Sequence, residues 1–408
     1  MIRLGADWIL PIAGEPIRDG YVAIDKGRIH AVASRAPAEA VPLGRVVILP
    51  ALVNAHTHLE LSYMHGRIPP SECLDDWIRA LMTLRRGFPD PADPQIVAAA
   101  HRAIRQVRAS GTCLVGEVSN TLVTVPLLRE AGLAAHVFHE MTGFNVPDPE
   151  GRVRDARAKA EAAGTDTGGV RVSLAPHAPY SVSPELFRAI RDDLDAHPHT
   201  VCSVHLGESL DEVELLRTGT GVVRATLEEL GVWTDTWRAP GVSPVEYLVA
   251  LGFLDSRVLV VHCVHVDGDD LARLRTIGAT LVCCPRSNRY VGVGSPPLES
   301  FYDAGVDVVF GTDSLASVED LNMFTELAEA RRLAPHVHAR RLLASATLTA
   351  ARALGFERDF GSIEKGKRSA LIAVRLPAGV RDVEEYLVSG VEPCDITWLD
   401  EASPGSHA

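Results

Sequence analysis

Between residues 46 and 310 the chain alternates short apolar runs with longer stretches in which apolar residues recur every three or four positions. The runs cover 46–58, 112–118, 134–138, 170–175, 200–205, 258–262, 280–284 and 306–310. Their length and their Val, Ile, Leu and Cys content predict strands buried on both faces. Stretches such as 95–110 and 186–196, rich in Ala, Leu, Arg and Glu, predict amphipathic helices between them. Eight strand–helix units with no Gly-x-Gly-x-x-Gly turn predict an α/β fold built as a (β/α)8 TIM-type barrel rather than a doubly wound sheet.

The two ends have another texture. Over residues 1–46, Gly14-Glu15-Pro16, Asp19-Gly20 and Lys26-Gly27 separate short β-prone runs, and the same style returns at 361–374. This predicts a small β-sandwich domain made from 1–46 and 357–399, flanking a catalytic barrel over 47–356. Residues 400–408 are polar and read as a flexible tail. Two connections, 59–93 and 209–257, are longer than a simple helix needs and read as lids over the end where the strands stop.

Composition narrows the partners. Of 408 residues, 46% are hydrophobic, enough for a large core, and the net charge of −13 argues against nucleic acid or an anionic membrane as the main partner. The start of the chain lacks the long apolar core of a signal peptide, and no later run spans a membrane. Seven cysteines lie scattered, several inside strand runs, as in a reduced compartment. A cytoplasmic protein acting on small molecules is the expectation.

Polar residues gather where the apolar runs stop. His56 and His58 end the first, His177 follows the fourth, His205 and Glu208 end the fifth, His262 ends the sixth and Asp313 the eighth. In a strand, residues two apart share a face, so His56 and His58 point the same way. In a barrel all these positions converge on one mouth. His56, His58, His205 and Asp313 make a set of N and O ligands for one divalent metal, Zn first, with Fe or Mn as alternatives. Such an ion brings a bound water's pKa toward neutrality. Glu208 then suits a proton shuttle to a substrate nitrogen, His262 a hydrogen bond to the attacking oxygen, and Asp313 a second proton acceptor. His265 reads as a loop histidine.

The order His56-x-His58, His205-x-x-Glu208, His262 and Gly311-Thr312-Asp313-Ser314 resembles the amidohydrolase superfamily, in its cytosine deaminase and adenosine-type (triazine-hydrolase-like) branch. The likeness spans nearly the whole chain. It implies a barrel with a flanking β-sandwich, hydrolytic loss of ammonia from an aminated heterocycle, one metal and a homodimer. Two-metal relatives carry a bridging lysine on the fourth strand; none lies between Val170 and Pro176 here. A departure, Lys367-Arg368-Ser369-Ala370 in place of a commoner Lys-x-Ala-Asp, concerns the small domain.

For the substrate, His177 in Pro176-His177-Ala178-Pro179-Tyr180 is expected to face a sugar, Glu60 a hydroxyl, and Trp77 a ring, although Trp77 is also at helical spacing from Leu74, Leu81 and Leu84. Arg286 and Asn288, in Cys284-Pro285-Arg286-Ser287-Asn288, are further candidate contacts, Arg286 as a two-pronged grip on a carboxylate. Arg289 is a second candidate for that grip. This segment and Thr312–Ser317 are most similar to the aminodeoxyfutalosine deaminases of menaquinone biosynthesis, whose substrate joins adenine, a ribose-derived linker and a benzoate. S-adenosylhomocysteine, 5′-methylthioadenosine or another aminopurine or aminopyrimidine is the alternative. Triazine dechlorination or cyclic amide hydrolysis is an alternative of another class.

Overall fold

The computed structural model describes residues 1–164, 166–167 and 169–399, so the tail expected over 400–408 lies outside the described residues. Eight strands make the barrel: β1 Leu52–Thr57, β2 Thr112–Ser119, β3 Ala134–Met141, β4 Val170–Pro176, β5 Cys202–Leu206, β6 Val258–His262, β7 Thr280–Cys283 and β8 Asp307–Phe310. Parallel ladders join β1 through β4 and β5 through β8. Two seams close the ring. At one, the His205 N–H donates to the His177 carbonyl at 2.8 Å; at the other, the Asp313 N–H donates to the His56 carbonyl at 3.0 Å, beside a parallel bridge between Thr57 and Asp313. Both seams pass through residues of the expected site.

Every residue of β1, β2 and β3 is buried, as runs without alternation require. The helices bury one stripe each. In Pro94–Ala109, buried Ile96, Ala99, Ala100, Ala103, Ile104 and Val107 follow the helical period, and the Asp93 side chain caps the start by accepting from the Gln95 N–H.

The apolar run 46–58 is not one strand. Val46–Pro50 pairs with Leu371–Arg375 and with Ile2–Ile9, whereas Leu52 begins the barrel by donating to the Gly111 carbonyl at 2.8 Å. Pro50 has no N–H to carry a ladder onward, so the chain changes sheets there.

Seven strands from both termini form the second sheet, in the order Ile396–Trp398, Leu371–Arg375, Val46–Pro50, Ile2–Ile9, Ile17–Asp25, Arg28–Ser34, with Val41–Pro42 beside Ile2–Ile9. Its two faces alternate. Val47, Leu49, Ile372 and Val374 join the barrel core, while Ile48, Leu371 and Ala373 pack with Ile9, Val22, Ile24 and Ile29 in a separate core. The two long connections meet each other: Arg79, from helix Leu74–Arg86, donates to Thr226 and Glu229 in the second, and Thr226 donates to Asp75. Among the described residues no helix is long and apolar enough to cross a membrane.

Candidate active site

His56 and His58 stand at the mouth end of β1, on one face, with their Nε2 atoms 3.2 Å apart. The His205 ring lies 5.0 Å and 5.6 Å from theirs, and one ring nitrogen of each of the three falls within 4.8 Å of the others. Asp313 Oδ1 approaches the same Nε2 atoms at 3.5 and 3.8 Å. Burial pulls the pKa of all three histidines down, and for His56 and His205 neighbouring imidazoles pull it further, so the rings are neutral. Burial pushes the Asp313 carboxyl up, but His58, His262 and the Ser287 hydroxyl outweigh it and hold the group below its ordinary value. Neutral nitrogens beside an anionic oxygen are the donor set a divalent cation takes. The 3.2 Å spacing is close to the edge of a tetrahedron with bonds of about 2.0–2.1 Å. His56, His58, His205 and Asp313 therefore fit a single ion.

Local backbone forces this convergence. A Cβ at Gly311 would lie 2.6 Å from the His56 carbonyl oxygen, so β8 reaches β1 only with glycine there. His262, Cys263 and Asp313 have φ of 73°, 50° and 61°, the left-handed region that costs a non-glycine residue about 1–3 kcal/mol. The strain aims two polar side chains into the mouth as their strands end. Ser287 Oγ then donates to Asp313 Oδ2 at 2.6 Å, and Asn54 bridges to Thr312 across the closing seam.

Glu208 Oε1 lies 3.5 Å from His262 Nε2. On the far edge of that ring, Asn288 Nδ2 is 3.0 Å from Nδ1. With the amide donating, Nδ1 accepts and Nε2 carries the proton toward Glu208 and the ligand cluster. Burial, then the charges of Asp313 and Glu212, push the Glu208 carboxyl well above its ordinary value, which favours its acid form.

Glu140 belongs to the cluster but was not anticipated. Its Oε1 lies 3.4 Å from His205 Nδ1, its Oε2 accepts from Asn120 at 2.9 Å, and with His177 and His205 it forms a second group of closely spaced donor atoms. Reading the third strand as ending at Phe138 left His139-Glu140 in a loop; β3 runs on to Met141. The position after an apolar run was the available signal.

The expected substrate contacts have different fates. His177 sits against the cluster, its ring 4.9 Å from that of His205 and its Nδ1 2.6 Å from Ser181 Oγ. Glu60 lies two residues past His58; its Oε2 accepts from Ser119 and from both Thr121 groups, and its Oε1 from Arg85. Trp77 packs against two small buried clusters, Leu61, Met64, Ile68 and Ala316 in one and Leu74, Val264, Val291 and Val293 in the other, the apolar role its spacing allowed. Asn288 touches His262 rather than open space, which makes it a positioning group. Arg286 needs correction as a carboxylate anchor. Its buried guanidinium pairs with Asp320 at 3.0 Å, Glu319 at 3.3 Å and Glu326 at 3.4 Å, so its N–H donors are turned to acids of the protein itself. Arg289 pairs with Glu329, and His265 is held by the Val293 carbonyl.

A parallel barrel carrying three histidines, an aspartate and a buried glutamate at its strand ends is the architecture of a metal-dependent hydrolase. Residues 47–394 match the Amidohydrolase family, and the chain belongs to it: it is a hydrolase acting on C–N bonds, in a family dependent on divalent metals. It is similar to the 5-methylthioadenosine/S-adenosylhomocysteine deaminase of Moorella thermoacetica, at 30% identity over 95% of this chain and 90% of that one. It also resembles the aminodeoxyfutalosine deaminase of Deinococcus radiodurans, at 33% identity over 77% of this chain and 75% of the other. Among solved structures, an adenosine deaminase from Xanthomonas campestris with bound zinc superimposes with a TM-score of 0.82, at 26% identity, covering 97% of this chain and 90% of that chain.

Proposed function

We propose that this chain is a single-metal deaminase that releases ammonia from the adenine ring of a nucleoside, with 6-amino-6-deoxyfutalosine of menaquinone biosynthesis as the substrate. The observation that carries the reaction type is the buried Glu208, 3.5 Å from His262 Nε2, beside the cluster of His56, His58, His205 and Asp313. His56, His58, His205 and Asp313 would hold the ion, Zn fitting the donor set best. Bound there, it supplies an activated water.

The protein's own groups move the protons. Glu208 gives its proton to the ring nitrogen next to the amino-bearing carbon, relieving the charge that builds as the water oxygen adds and aromaticity is lost. Asp313 accepts one proton of that water and passes it to the amino group, which leaves as ammonia. The remaining hydroxyl proton returns Glu208 to its acid form as the carbonyl forms. His262 orients the adding oxygen through Nε2–H, with its tautomer set by Asn288. We assign His177, whose ring lies 4.9 Å from that of His205, to the sugar.

Ammonia release from a panel holding 6-amino-6-deoxyfutalosine, S-adenosylhomocysteine, 5′-methylthioadenosine and adenosine tests this reading. Glu208→Gln is expected to keep full metal content and lose at least about 1000-fold in kcat. Unchanged turnover in that variant removes Glu208 from the reaction. The second reading, deamination of S-adenosylhomocysteine or 5′-methylthioadenosine, is favoured by the relative that covers 95% of this chain.

A further inference from the structure

Beside the cluster a cavity of about 280 Å3 opens between the segment after β1 and the end of helix Leu74–Arg86. Glu60, Tyr63, Met82, Arg85, Arg86 and Phe88 line it. It joins the candidate active site through hydrogen bonds. Arg85 donates to Asn120 Oδ1 at 2.9 Å, Asn120 donates to Glu140 Oε2, and Glu140 Oε1 faces His205. Arg85 is close enough to help lower the His177 pKa, behind burial and His58.

The walls are aromatic and the charge is positive. Tyr63 and Phe88 pack at 4.9 Å, and Arg67 lies over the Phe88 ring at 5.2 Å. Arg85 uses two recorded bonds, to Asn120 and Glu60, and a guanidinium has five N–H groups. Arg86 is exposed and has no carboxylate partner among the described residues. Glu60 is the single acid of the lining, and four donors already reach it. The lining therefore carries net charge +1, which a lone carboxylate neutralises. An amino-acid tail brings its own ammonium and would leave that charge standing, beside an acid with little acceptor capacity left.

We propose that this cavity receives the tail of the substrate and selects an aryl carboxylate, with Arg85 as its ionic partner and Tyr63 and Phe88 as the faces against the ring. The assignment rests on the nucleoside-deaminase reading above and sharpens it. It moves the carboxylate grip from Arg286, whose donors are turned to three acids of the protein, to Arg85, which lines the cavity and meets one acid, Glu60.

The test compares 6-amino-6-deoxyfutalosine, its methyl ester and 5′-methylthioadenosine in the metal-loaded enzyme, by turnover and by equilibrium binding of each compound. In the wild type the free acid should bind at least about 30-fold tighter than the ester. Arg85→Met should abolish that preference, losing far more affinity for the free acid than for the ester or 5′-methylthioadenosine, and Arg85→Lys should restore part of it. Equal losses on all three compounds, or a wild type that binds acid and ester alike, overturn the proposal. If Arg85→Met does not fold, the wild-type ratio of acid to ester decides. Absence of ammonia release from every compound would instead count against the deaminase reading, since binding is read independently of turnover.

Discussion

Asn288 shows how much chemistry one contact settles. Its amide lies on His262 Nδ1, so the proton of that ring is on the edge that faces Glu208. Asn288→Asp puts an acceptor where a donor was, moving the proton to Nδ1 and favouring imidazolium. We expect kcat to fall about 10- to 100-fold with KM little changed and metal content intact, as checked by steady-state kinetics beside metal analysis. A raised KM with unchanged kcat would instead make Asn288 a substrate contact, the role its motif first suggested. Ser287 acts in the same way on Asp313, holding the carboxylate by a 2.6 Å bond while Ser317 holds the hydroxyl.

Both residues ride on one element, the short helix Pro285–Tyr290 that follows β7. Six residues make less than two turns, too few to be stable alone. Arg286 anchors them: its guanidinium is 5% exposed and ties the helix to Asp320 and to fully buried Glu326. Burial, opposed by the charge of Arg286, leaves Glu326 raised to about 8. Arg286→Met would remove the hydrogen bonds that tie the helix to Asp320 and Glu326, and a hydrogen bond to a charged group is worth about 1.5–3 kcal/mol. Urea denaturation should show the loss. The accompanying fall in kcat/KM should be equal for acid and ester substrates, because the damage passes through Ser287 and Asn288 and not through a substrate carboxylate. A selective loss on the acid would return Arg286 to the role of anchor.

At the scale of the molecule, buried carboxyls make stability depend on pH. Glu212 is fully buried under the mouth, accepts the Glu208 N–H at 3.0 Å, and is raised by burial to about 7 from its ordinary 4.5. Between those values the folded chain holds a proton that the unfolded chain has lost, so stability falls as pH rises through that window. The loss from this group is up to about 3 kcal/mol. Glu212→Gln removes it. Relative to the wild type, the variant should be about 2.5 kcal/mol better off at pH 8 than at pH 5, measured by denaturant unfolding at both. A difference independent of pH would mean that Glu212 is ionised in the folded protein.

Much was legible before any coordinates. Strands buried on both faces cannot alternate, so eight short, mainly apolar runs announced a parallel barrel. Ligands at strand ends were readable because a barrel brings those ends to one rim. Short-range chemistry was legible too: His-x-His shares a face by the pleat alone. The tertiary structure decided what depends on separations of tens to hundreds of residues. Whether Arg286 faces a ligand or three acids is set by residues 33 to 40 positions away. That Glu140 reaches His205 depends on how far β3 runs before it turns. The change of sheets at Pro50 needed Leu371 and Gly111 in place to become visible. A linear pattern records which side of an element is apolar, because burial acts on each element's own periodicity. It does not record which charges meet, because pairing is chosen by the packing of elements that the chain joins only at a distance.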